Sequence, residues 1–109
     1  MVTQVSFNDL GPVDFIPQAV VRRPVRYFSD QFGFRFEQDT DDLDAHESAF
    51  FKLDDRLPFA LVHYRGNPED TTTIYFGREI GREEVPTVVH YILRGFDLPA
   101  NAVIWISSN

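Results

Sequence analysis

The stretch from His46 to Phe76 constrains the fold of this chain most, because it holds three apolar runs separated by two turn-like clusters. The runs read HESAFFKL, PFALVHY and TTTIYF, and the clusters between them read DDR and RGNPED. Short runs rich in β-branched and aromatic residues, bounded by Asp, Asn, Gly and Pro, are typical of β-strands joined by turns. This stretch therefore predicts three consecutive strands that pair back on one another.

Pairing the first two of these strands predicts which side chains share a face. If Asp54–Leu57 is the loop, Ser48 lies opposite His63 and Phe50 lies opposite Leu61. One face of the ribbon then carries His46, Ser48, Phe50, Lys52, Phe59, Leu61, His63 and Arg65. Along a strand of a sheet with one solvated face, apolar and polar residues should alternate cleanly. The middle of this face is apolar instead, so we expect something to cover it. The predicted binding surface consists of Phe50, Phe59, Leu61, His46, His63 and Arg65.

Two further segments have the pattern of amphipathic helices. Pro24–Phe32 begins with Pro at a first helical position and is followed by Gly33, a typical residue at a helix end. Glu83–Arg94 begins with acidic residues, which suit the helix dipole, and is followed by Gly95. Each segment has an apolar stripe at helical spacing, so both helices are expected to pack on the sheet.

The remaining segments add strands and loops to this picture. The pattern predicts strands at Val2–Phe7, Phe34–Gln38 and Ala102–Ser107. The last of these should be central or covered, because it has apolar residues at both odd and even positions. An exposed loop is predicted at Asp39–Asp44. Gln18–Arg22 fits a helix or a strand, and the register of Thr72–Phe76 stays open by one residue. The predicted fold is a single α+β domain over residues 1–109, an antiparallel sheet of about four to six strands with two main helices packed on one face.

Composition and charge exclude several function classes. The 109 residues include 17 acidic and 10 basic side chains, a net charge of −7, which argues against a nucleic-acid binder. Arg22, Arg23 and Arg26 form one local basic group, which either grips an anionic partner or is an exposed face paired with the acidic loops. The chain has no Cys, in keeping with a cytoplasmic protein, and its longest apolar run, Ala102–Ile106, is too short for a bilayer.

The candidates for chemistry are few. In the predicted register, His46 and His63 share a face with their Cα atoms about 7–8 Å apart, the outer limit for a common metal ion. A metal site needs three or four ligands, with Asp44 or Glu47 as the nearest carboxylates, so we predict neither metal nor cofactor. The acidic residues from Asp39 onward do not follow the spacing of a calcium loop.

One resemblance to a known family is present. The run PVRYFSDQFGFRFEQD, followed by AFFKLDD and FALVHY, resembles the helix–strand–strand–strand part of a glyoxalase/dioxygenase-type βαβββ module. The resemblance covers roughly the first two-thirds of the chain. It implies a metal site made by a His or Glu on the first strand and a Glu on the last. Val2–Phe7 carries neither residue, and Thr72–Phe76 carries no Glu.

The sequence supports two functional hypotheses from different classes. The leading one is a non-enzymatic interaction or regulatory module that self-associates or binds a protein partner through its apolar sheet face, since large apolar patches usually mark contacts. The alternative is a small-molecule-binding protein or metal-assisted enzyme, a glyoxalase/dioxygenase-like half module that uses His46 and His63.

Overall fold

The β-strands form one antiparallel sheet. The computed structural model describes residues 1–40 and 45–107. Within them the strands are β1 (Val2–Val5), β2 (Phe15–Val21), β3 (Glu37–Thr40), β4 (Ala45–Leu53), β5 (Leu57–Tyr64), β6 (Thr72–Gly77) and β7 (Val103–Ile106). Their order in space is β1-β4-β5-β6-β2-β7, and β3 pairs with the free part of β4. The predicted α+β fold with one antiparallel sheet is confirmed, with seven strands in the described residues instead of about four to six.

The two predicted helices are present close to their predicted bounds. Helix α1 spans Val25–Phe32 and α2 spans Val85–Gly95. Pro24 caps α1 in an extended conformation, and Gly33 ends it in the left-handed region at φ 72°, which Gly adopts without the penalty of a Cβ. Helix α2 begins two residues later than predicted, because the chain from Gly81 to Glu84 forms a turn in which the Glu84 N–H donates to the Gly81 carbonyl.

Both helices pack on the same face of the sheet, around the ring of Phe96. Phe96 follows α2 and is 1% exposed. Its ring centroid lies 4.9 Å from that of Phe28 in α1, 5.6 Å from Phe51 in β4 and 6.0 Å from Phe59 in β5. The hydroxyl of Tyr27 also donates to the Phe96 carbonyl at 2.9 Å. Phe96 therefore joins both helices to β4 and β5. We call this side of the sheet the helix-covered face and the other side the open face.

The predicted register of the β4–β5 hairpin is wrong by one residue. Asp54 and Asp55 have φ values of 55° and 58°, and the Arg56 N–H donates to the Leu53 carbonyl at 3.1 Å. Positive φ at both central residues is the mark of a type I′ turn, whose twist matches that of a hairpin. The strands therefore begin to pair at Leu53 and Leu57, where a longer loop had been predicted.

A shift of one residue exchanges the two faces of a strand. Ser48 lies opposite Val62 instead of His63, and Phe50 lies opposite Ala60 instead of Leu61. As a result, Phe59, Leu61 and His63 belong to the helix-covered face, and Ala60, Val62 and Tyr64 belong to the open face.

Other parts of the sheet also differ from the prediction. The strand predicted at Phe34–Gln38 begins only at Glu37, because Phe34 and Phe36 pack against the core before the backbone reaches β4. Asp39 and Thr40, predicted as loop, are paired in β3, and the rest of that predicted loop lies outside the described residues. The last strand, β7, is an edge strand and not a central one.

Two open choices are settled by the structure. The segment that fitted a helix or a strand lies mainly in β2, where the sequence signal is weakened by Pro17 and by an irregularity in pairing between Pro17 and Ala19. Pro cannot donate to a ladder and is found at such irregularities. In β6, Ile74 pairs with Leu61 and Phe76 with Phe59, so both belong to the helix-covered face.

Gly95→Ala is expected to destabilise the protein, because a Cβ at Gly95 would overlap the Cγ2 atom of Val2 in β1. Overpacking costs about 1–3 kcal/mol, and the better helix propensity of Ala returns up to about 1 kcal/mol. Urea unfolding of the variant should therefore show a net loss of stability.

The matched test is the same substitution in a Val2→Ala background, where the space is free and Gly95→Ala should be neutral or stabilising. Equal effects of Gly95→Ala in the two backgrounds would contradict the packing of β1 on the end of α2.

Candidate functional site

The centre of the open face carries no charged side chain. Cross-strand pairing places Phe50, Ala60 and Tyr75 in one row. A second row, one step along the strands, contains Ser48, Val62, Thr73, Val20 and Trp105. The charged residues whose side chains also point to the open face lie at its margins: Lys52 near the hairpin turn, and Glu37 and Asp39 on β3. An uncharged centre is unusual on a sheet face that neither α1 nor α2 covers.

Aromatic rings close over the middle of this face. Phe15 of β2 and Phe50 of β4 have ring centroids 6.2 Å apart, although β5 and β6 lie between their strands. Neighbouring strands are about 4.8 Å apart, so the two backbones are separated by three such spacings and the rings must reach toward each other. Phe7 packs on Phe50 from the other side at 5.1 Å. Ala60 lies among these rings and is only 2% exposed.

The rings leave a depression of about 140 Å³, which we call the aromatic groove. It is lined by Phe15, His46, Ser48, Phe50, Ala60, Val62, Tyr64 and Tyr75. Its walls are mainly apolar, and its polar groups are two phenol hydroxyls, one serine hydroxyl and one imidazole. The imidazole of His46 lies against the ring of Tyr64, with centroids 4.9 Å apart. An apolar pocket with a few convergent polar groups is the usual form of a binding site.

Burial raises the pKa of Tyr75 above the ordinary tyrosine value, and the neighbouring Tyr64 raises it further. Desolvation disfavours the phenolate, and a second phenolate close by would repel it. The hydroxyl of Tyr75 is therefore protonated at neutral pH and can donate a hydrogen bond into the groove.

The structure separates the six predicted binding residues. Phe50 and His46 lie on the open face and line the aromatic groove. Phe59 and Leu61 are 0% exposed and form part of the core under the helices, and His63 shares that face. Arg65 follows the end of β5, where its N–H donates to the Ala45 carbonyl. The function of these residues in binding stays a prediction, but they do not form one surface.

His46 and His63 do meet at the rim of a second depression, of about 210 Å³, at the end of the β4–β5 hairpin. Its lining residues are Gln38, Ala45, His46, Glu47, His63, Arg65 and Glu69. The two histidines reach it from opposite faces of the sheet, and the Nε2 atom of His63 lies 3.1 Å from the Pro68 carbonyl oxygen. Across residues 1–40 and 45–107, no group of three or more His, Asp or Glu side chains is placed to hold a metal ion.

The basic group predicted at the start of α1 is divided between two environments. The guanidinium of Arg23 lies over the ring of Tyr27, 5.7 Å from its centroid. Arg26 instead lines a shallow depression of about 570 Å³ together with Arg35 and the carboxylates Glu47 and Glu69. Because both acidic and basic side chains line it, the depression has no strong preference for one sign of charge.

In chain order, β2 and α1 are followed by four strands, β3 to β6, which is one strand more than the βαβββ resemblance implies. The first strand of that order is β2 and not the predicted Val2–Phe7 segment. It contains neither His nor Glu, and β6 contains no Glu. The residues that the resemblance implies as metal ligands are therefore absent from both strands.

Comparison with protein-family models, with curated proteins and with solved structures found no significant match to this chain. None of the helices in the described part of the chain has the length and apolar character needed to cross a membrane.

Sequence reasoning missed five residues as groove residues: Phe15, Ala60, Val62, Tyr64 and Tyr75. Each was hidden by an incorrect or open assignment. The hairpin register hid Ala60, Val62 and Tyr64, the open register of the β6 segment hid Tyr75, and the unassigned start of β2 hid Phe15. The signal that was available is the pair Asp54-Asp55, since Asp tolerates positive φ better than most residues and is favoured in type I′ turns.

Raising the pH above 10 is expected to destabilise the protein through Tyr75. Its pKa is raised in the folded state from 10.0, so the unfolded chain releases this proton at a lower pH than the folded chain does. The stability that Tyr75 contributes is therefore complete below the unfolded pKa and is lost as the pH rises through the folded pKa. Urea unfolding between neutral and alkaline pH should show this loss, and Tyr75→Phe should reduce it. Tyr91→Phe, at an exposed tyrosine of α2, is the matched control. An identical alkaline loss in wild type and Tyr75→Phe would contradict the shift.

Proposed function

We propose that this protein is a self-associating module and that a second copy of the chain covers its open face. The observation that carries the proposal is the distribution of charge. The chain has a net charge of −7, so two copies repel one another at most orientations. The centre of the open face, with Ser48, Phe50, Val62, Thr73 and Trp105, has no formal charge, and two copies in contact there keep their carboxylates at the margin or beyond it.

The exposed apolar side chains support the same surface. Phe7 is 61% exposed and packs on Phe50, and Trp105 is 48% exposed at the other end of the open face. Aromatic residues are enriched at protein interfaces because they bury large areas at low cost in conformational entropy. An uncovered face with an aromatic residue at each end is the kind of patch that marks a contact.

The hydrogen-bonding groups of the face favour an identical partner over a different one. Ser48, Thr73, Tyr64 and Tyr75 carry hydroxyls, and a hydroxyl is both donor and acceptor. Two copies related by a two-fold axis present the same groups to each other, and such isologous pairs are the commonest oligomers. A partner with a strongly basic surface would gain little from this face, because the carboxylates near it lie only at the β3 margin.

Thr73→Arg tests the proposal at the centre of the face. Thr73 lies on β6 between Val62 and Val20, so the variant places a charge where the second copy is expected to sit. A buried unpaired charge costs about 3–5 kcal/mol, so the dissociation constant of the dimer should rise by about 100-fold or more. Sedimentation equilibrium over a range of concentrations measures it.

Thr87→Arg is the matched control, because it makes the same chemical change at an exposed position of α2 on the opposite side of the molecule. Trp105→Asp, at an exposed position of the open face, should weaken association as Thr73→Arg does. A wild-type chain that stays monomeric at the highest concentrations, or a dimer that Thr73→Arg leaves intact, would refute the proposal.

A further inference from the structure

The aromatic groove has features that self-association does not require. A surface that only pairs with a second copy needs no cavity of its own, but this face encloses a space of about 140 Å³ between side chains of one chain. Two of the polar groups in this space are the hydroxyls of Ser48 and Tyr75. Both line the groove, Ser48 from β4 and Tyr75 from β6.

We propose that the aromatic groove binds an uncharged single-ring aromatic molecule that carries a hydroxyl or carbonyl group. The rings of Phe15 and Phe50 would contact the faces and edges of the ligand ring, and the hydroxyls of Ser48 and Tyr75 would bond its polar group. All of these residues belong to one chain.

The size of the groove sets the upper limit of the ligand. An apolar cavity of about 150 Å³ in another protein accommodates benzene. The groove is of similar volume but open on one side, so one six-membered ring with a small substituent fits and a fused ring system would project from it. Aromatic walls favour an aromatic ligand, because ring pairs in offset or edge-to-face contact are stabilised beyond the area that they bury.

The charge of the groove sets the chemistry of the ligand. No Asp, Glu, Lys or Arg lines it, and among its lining residues only His46 can carry a positive charge. A ligand ammonium would therefore lose water without gaining a counter-charge, and a ligand carboxylate would meet no permanent positive charge. A neutral hydroxyl or carbonyl instead meets groups that can donate to it. Burial and Tyr64 hold the pKa of Tyr75 above its ordinary value, so its proton stays available for such a bond.

The test is a titration of ¹⁵N-labelled protein with phenol, followed by backbone amide chemical shifts. Phenol should give saturable shifts confined to β4, β5, β6 and the start of β2, with a dissociation constant on the order of 1 mM for a ligand of this size. Benzoate, which has the same ring and a negative charge, should give none. Toluene, which has the ring without the hydroxyl, should bind more weakly than phenol.

Tyr75→Phe identifies the hydrogen bond. It removes one hydroxyl and keeps the ring, so phenol affinity should fall about 5- to 10-fold, while toluene affinity should stay within experimental error. Tyr91→Phe makes the same change at an exposed tyrosine of α2 and should alter neither affinity. Phenol that gives no saturable shifts in the groove, benzoate that binds as tightly as phenol, or Tyr75→Phe that leaves phenol affinity unchanged would overturn the proposal.

Repeating the phenol titration on Trp105→Asp separates this site from self-association. Trp105 lies on β7 and does not line the groove, so the variant should bind phenol in its monomeric form. Absence of phenol binding in both proteins would overturn the ligand site and leave self-association standing. Phenol binding by a wild-type chain that never dimerises would overturn self-association alone.

Discussion

The contact between Phe51 and Phe59 beneath Phe96 is the interaction on which the rest of this structure depends. The rings of Phe51 and Phe59 stack at 5.2 Å as direct cross-strand partners, and each lies within 6.0 Å of the Phe96 ring. All three side chains are at most 1% exposed. In a register shifted by one residue, Phe59 and Leu61 would leave this core, at a cost of about 1.5–3 kcal/mol for each large apolar side chain transferred toward water. The helices therefore select the register that the turn at Asp54-Asp55 permits.

The composition of the open face follows from that selection. Once Phe59 and Leu61 are under the helices, the alternate residues Ala60, Val62 and Tyr64 must face the other way. The small side chain of Ala60 leaves room between Phe15 and Phe50, and Tyr64 and Tyr75 bring their hydroxyls to the same depression. The groove is thus a consequence of how the core is packed. A substitution that shifted the register of the hairpin would remove the groove and the core packing together.

The helices and the class of fold were readable from the sequence because their signals are local. Pro24 and Gly33 fix the ends of α1 through backbone conformations that few other residues provide, and the apolar stripe of α2 repeats at helical spacing. The open face was not readable, because strand register depends on the short turn at residues 54–56, whose conformation is decided together with tertiary packing. The edge position of β7 was missed for a similar reason: an apolar strand is consistent with burial or with an uncovered edge, and only the arrangement of its neighbours distinguishes them. Two residues of the predicted site, His46 and Phe50, lie on the open face in the structure. Both belong to β4, and which β4 residues share a face did not depend on the turn.

The measurement that tests this account most directly is disulfide formation between cysteines introduced in pairs into a chain that has none of its own. Ser48 and Val62 are direct cross-strand partners on the open face, so the double variant Ser48→Cys, Val62→Cys should oxidise readily to an intramolecular disulfide. The double variant Ser48→Cys, His63→Cys should not, because the two side chains point to opposite faces. Rapid oxidation of the second pair in place of the first would place Phe59 and Leu61 outside the core and contradict the account as a whole.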